Sequence, residues 1–88
     1  MDEDLPSETL SILIGRQVLR SLGTPPGLLK VRVHNVGSDR FRVNVLVGPN
    51  PASARITDSF FLTADGKGNV VSSSPAIARL YGPAGAGS

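Results

Sequence analysis

Leu28-Leu29-Lys30-Val31-Arg32-Val33-His34-Asn35-Val36-Gly37-Ser38-Asp39-Arg40-Phe41-Arg42-Val43-Asn44-Val45-Leu46-Val47 holds two runs of alternating apolar and polar residues on either side of a glycine-containing break. Leu29, Val31 and Val33 alternate with Lys30, Arg32 and His34, and Phe41, Val43, Val45 and Val47 alternate with Arg40, Arg42 and Asn44. A period of two sends successive side chains to opposite sides of an extended chain, so each run predicts a half-buried strand. Gly37-Ser38-Asp39 supplies turn chemistry between them. For both apolar sets to share a face, the connection must hold an odd number of residues, which predicts a three-residue turn with a bulge closing an antiparallel hairpin.

Upstream, the period lengthens. Ser7 after Pro6 suits a helix N-cap with Glu8 in the first turn, and Gly23 before Thr24-Pro25-Pro26 is a stop signal, so a helix is expected over 7–22. At about 100° per residue, Leu10, Leu13, Ile14, Val18 and Leu22 form one stripe. That stripe is expected to pack on Leu29, Val31, Val33, Phe41, Val43 and Val45. Ile12 and Leu19 lie together on nearly the opposite side and need a second cover, from the C-terminal segment or from another subunit.

Downstream, Gly48-Pro49-Asn50-Pro51 takes the chain out of the sheet, because proline offers no ladder donor. A third strand is expected from about Arg55 to Ala64. It turns through Asp65-Gly66-Lys67-Gly68-Asn69 into a short fourth strand near Val70 to Ser73. Ser74-Pro75 permits a last short helical turn over Ala76 to Tyr81. The fold class is therefore α+β in two layers: an N-terminal helix packed on an antiparallel sheet of three to four strands, in the order α-β-β-β-β, with room for a short C-terminal helix. Residues 1–6 are expected to be a flexible acidic N-terminus, 7–81 the single domain and 82–88 a flexible Gly/Ala tail.

Eighty-eight residues with 40% hydrophobic content suffice for one core and not for two. With no cysteine there is no disulfide framework, thiolate metal cage or thiol nucleophile, and the natural reading is a reducing, cytoplasmic setting. Met1-Asp2-Glu3-Asp4 carries acids where a secretory signal carries basic residues, and no apolar run reaches the roughly 20 residues of a membrane span. The net charge of +2 conceals an asymmetry, since four of the seven acids precede Thr9 while all nine Lys and Arg follow it. A basic body attracts anionic partners without specifying them.

Lys30, Arg32, His34, Arg40, Arg42 and Arg55 fall on the polar phase of the strands together with Phe61. This makes a candidate anion or nucleic-acid face, since an aromatic among cations stacks bases while the cations neutralise phosphates. The competing account of the same alternation is the solvated side of an antiparallel sheet, where Lys and Arg discourage edge pairing. Asp58 falls on the apolar phase. It reads as an inward charge guarding an edge strand or pairing with Arg16 or Arg20, more readily than as a general base without a partner.

His34 stands alone among cations, which makes a poor metal site. The Asp65 to Asn69 turn has Lys67 where a calcium loop requires an oxygen ligand. Ser72-Ser73-Ser74 has neither a glycine elbow nor a base, and no phosphate-binding loop occurs. No catalytic constellation and no cofactor signature result. The expectation is a non-enzymatic protein-interaction module, self-associating as a homodimer through Ile12 and Leu19 or binding another protein, with nucleic-acid binding by the basic sheet face as the alternative.

Overall fold

The structure is a computed structural model and describes residues 5–82. One helix, α1 (Ser7–Leu22), is followed by four strands: β1 (Leu28–Gly37), β2 (Arg40–Val47), β3 (Arg55–Ala64) and β4 (Val70–Ser74). A single 3-10 turn at Pro51–Ser53 joins β2 to β3. The strands form one antiparallel sheet in the order β1-β2-β3-β4, with α1 packed on one face, which is the expected α+β arrangement.

Ile14, Val18 and Leu22 lie one turn apart along α1 and are fully buried, and Leu10 extends the stripe at its N-terminal end. They rest on Phe41, Val43, Val45, Phe60 and Leu62, the core-facing residues of β2 and β3. Gly15 faces β1, where a methyl group would make ordinary van der Waals contacts with Val31 and Val33 at 3.7 and 3.8 Å.

Three details differ from the sequence expectation. The helix spans 7–22 as expected, but Pro6 and not Ser7 holds the cap position, and no side chain caps it. The Leu5 N–H donates to the Gly66 carbonyl at 2.9 Å, so a tertiary contact with the β3–β4 turn sets the entry of the chain. Leu28, not Leu29, joins the core, because a bulge between Leu28 and Lys30 shifts the phase of β1 at its start. The hairpin turn is two residues, Ser38-Asp39, closed by the Gly37–Arg40 pair; the odd residue demanded by parity is Val36, bulged within β1. Asn35 Nδ2 stabilises this turn by donating to the carbonyls of Ser38 and Arg40, at 2.9 and 3.2 Å.

No C-terminal helix forms at 76–81. The segment after β4 directs its donors to the end of α1 instead. The N–H groups of Leu80 and Tyr81 both donate to the Leu22 carbonyl, at 2.8 and 3.0 Å, and the Arg79 guanidinium donates to the Arg20 carbonyl at 2.9 Å. These bonds satisfy carbonyls that a helix terminus leaves without intrahelical partners. Gly23 ends the helix at φ +91°, and a Cβ there would collide with the Tyr81 carbonyl. Ile77 and Tyr81 pack on the edge of the core. The stretches 1–4 and 83–88, which hold most of the tails expected to be flexible, lie outside the described residues. At the margins of the described part, Leu5 is held as above and Gly82 accepts from the Thr24 N–H at 2.9 Å.

Candidate functional site

The face of the sheet turned away from α1 is built in rows that cross the strands. His34 pairs with Arg42, Arg42 with Phe61, and Phe61 with Ser74, so one row crosses all four strands. The next row toward the hairpin turn runs Gly37, Arg40, Thr63 and Ser72. In the other direction lie Arg32, Asn44 and Ser59, then Lys30, Leu46 and Ile56. Lys30, Arg32, His34, Arg40 and Arg42 are all exposed, and no described carboxylate occupies any of these rows.

Phe61 is 53% exposed, with the Arg42 guanidinium 5.3 Å from its ring centroid. A guanidinium over an aromatic face is held by the ring quadrupole, which pre-orients the cation without a carboxylate to neutralise it. Beside this pair is an open depression of about 410 Å³ whose lining includes Val36, Arg40, Phe61, Thr63, Ser72 and Ser74. Val36, 52% exposed, supplies its wall on the β1 side because the bulge at the end of β1 interrupts the alternation there. Further along, Ser59 Oγ donates to Asn44 Oδ1 at 2.7 Å, so that part of the face satisfies its own polar groups.

Arg55 does not belong with this set. A register shift between Val45–Asp58 and Leu46–Ile56 leaves Thr57 as the extra residue, and Arg55 consequently pairs with Val47, in the phase of the core-facing residues. Ile56 takes the outward place instead, 56% exposed.

Asp58 keeps its inward phase opposite Val45. It sits in the half of β3 that β4 does not cover, since β4 pairs only from Phe61 to Ala64. Its Oδ2 accepts from Tyr81 Oη and from Thr57 Oγ1, both at 3.0 Å, rather than from the helix arginines expected as partners. The hydrogen bond to Asp58 raises the Tyr81 phenol above its ordinary value of 10.0, and burial adds to the shift. This is a structural clasp on the C-terminal segment.

The Asp65 turn is likewise occupied internally. Oδ1 accepts from the N–H groups of Lys67 and Asn69 at 2.9 Å, and Oδ2 accepts from Asn69 Nδ2 at 3.1 Å. Bonds from the Asn69 backbone and side chain, the largest contributions, hold the Asp65 carboxyl below its ordinary 3.8.

On α1, Ile12 is 55% exposed, but Leu19 is half-buried, so the two do not form an open apolar stripe. Sequence reasoning missed Gln17. Its Nε2 donates to the carbonyls of Leu13 and Gly68, and its Oε1 accepts from the Val70 N–H at 3.0 Å. One amide thus ties the helix to the start of the edge strand β4. The only signal available for it was a polar residue within the apolar stripe, four residues after Leu13 and three after Ile14.

Against protein-family models, curated proteins and solved structures, the chain finds no match.

Proposed function

We propose that this protein is a non-enzymatic binding module whose working surface is the outer face of its sheet, and that its partner is anionic. The observation that carries this reading is a face of a single sign. Four cations and a histidine stand in neighbouring rows around an exposed phenylalanine, with no described carboxylate among them. Unpaired like charges held on one rigid surface repel one another unless a polyanion neutralises them. Two such faces do not favour each other, which argues against self-association through the sheet.

Retention on an immobilised polyanion tests this. Arg32→Gln, Arg40→Gln and Arg42→Gln combined should elute at much lower salt than the wild type. Arg16→Gln, Arg20→Gln and Arg55→Gln combined remove the same charge from exposed positions off that face and should shift elution far less. Equal shifts for the two variants would reduce the surface to general basicity and overturn the reading.

Self-association through the helix is the second reading, favoured by the exposure of Ile12. It expects a concentration-dependent dimer in sedimentation that Ile12→Lys converts to monomer. A wild-type protein that stays monomeric at high concentration retires it.

A further inference from the structure

We infer that the anionic partner is a single-stranded nucleic acid, with one base seated against Phe61 in the depression between β1 and β4 and the adjoining phosphates held by Arg40 and Arg42. This rests on the outer-face reading above and names its ligand. The depression is an open one of about 410 Å³, and what distinguishes it is its lining. Its lining combines three chemistries: apolar surface from Val36 and Phe61, exposed hydroxyls from Ser72 and Ser74, and a guanidinium from Arg40.

A bare polyphosphate, or a peptide of acidic residues alone, engages only the cations and leaves the apolar floor in contact with water. A nucleotide engages all three, because its base offers a flat apolar face and a hydrogen-bonding edge, while its phosphate is carried on the same sugar. The Arg42 guanidinium lies over the Phe61 ring, 5.3 Å from the centroid, so a base that stacks on that face displaces it toward the adjoining phosphate. A duplex fits less well. Its bases are stacked inside, and an open sheet face without a protruding element cannot reach them.

The test is fluorescence anisotropy with a short labelled single strand of DNA and of RNA, a duplex of the same length, and unlabelled polyphosphate as competitor. Phe61→Ala and Phe61→Leu should each weaken single-strand binding roughly 5- to 150-fold, the loss of one stacked base, while leaving duplex binding and the salt slope unchanged. Phe61→Tyr should retain affinity. Arg40→Gln and Arg42→Gln should each flatten the single-strand salt slope by about 0.7. Circular dichroism of each variant checks the fold, and in the wild type the amide shifts caused by the single strand should centre on Val36, Phe61, Ser72 and Ser74.

Polyphosphate that competes as well as the single strand, with Phe61→Leu indifferent, overturns the nucleic-acid assignment and leaves the anionic reading standing. Failure of every polyanion to bind overturns both.

Discussion

Arg42 and Val43 are neighbours in β2, yet one is exposed and the other has no accessible surface, and the two faces of the sheet differ in the same way. The inner face is aliphatic and aromatic where a helix of 16 residues, about 24 Å long, packs on Phe41, Val43, Val45, Phe60 and Leu62, and turns polar at Asp58 and Arg55 in the first half of β3. The outer face carries cations in the same strands and is interrupted by Val36, Ile56 and Phe61, each more than half exposed. Val36 and Ile56 lie at register shifts, where an extra residue turns an apolar side chain outward. Strict alternation therefore builds the sealed face, and its local failures supply much of the apolar surface on the open one.

That contrast has energetic consequences. Leu22→Ala removes a side chain with no exposed surface and should lower stability by about 2–5 kcal/mol. Ile56→Ala on the outer face should stay within about 0.5 kcal/mol. Urea melts of the two variants measure the difference directly. A large loss for Ile56→Ala that grows with protein concentration would mean that a second copy covers the outer face.

Gln17→Ala probes the border between the faces, where the helix meets the edge strand. It leaves the Val70 N–H and the Gly68 carbonyl without their side-chain partner and should cost about 1–2 kcal/mol. Amide hydrogen exchange sharpens the test. Val70 should lose protection while Val43 and Val45, under the helix, change only with global stability.

The two carboxylate contacts at the periphery act at opposite ends of the pH scale. Asp65 has a folded-state value below 3.8, so its contribution is complete above that pH and is lost as pH falls through the lower folded value. Tyr81 has a folded-state value above 10.0, so its contribution is complete below that pH and is lost as pH rises through the higher folded value. In melts across pH, Asp65→Ala should therefore flatten the acid arm and Tyr81→Phe the alkaline arm, each leaving the other arm as in the wild type.

The order of residues along the chain is enough to set the elements and their layers. Helix 7–22 with Gly23 as its stop, the paired strands around Gly37-Ser38-Asp39, and the strand from Arg55 to Ala64 follow from periodicity and from the few residues that permit turns. It also placed Lys30, Arg32, His34, Arg40, Arg42 and Phe61 in one phase, because a period of two is local information.

The remaining features arise from packing between elements. The bulges at Leu29, Val36 and Thr57 depend on how one strand must slide to keep its apolar residues under the helix, and no single strand encodes that sum. They removed Arg55 from the outer face and made Val36 a wall of the depression. The C-terminal segment reads as a helical turn in isolation, yet the unsatisfied carbonyls at the end of α1 offer its N–H groups better partners than its own backbone does. Gln17 and Asp58 found partners more than 20 residues away in the chain, at Gly68, Val70 and Tyr81, and contacts of that separation exist only once the sheet has set the distances.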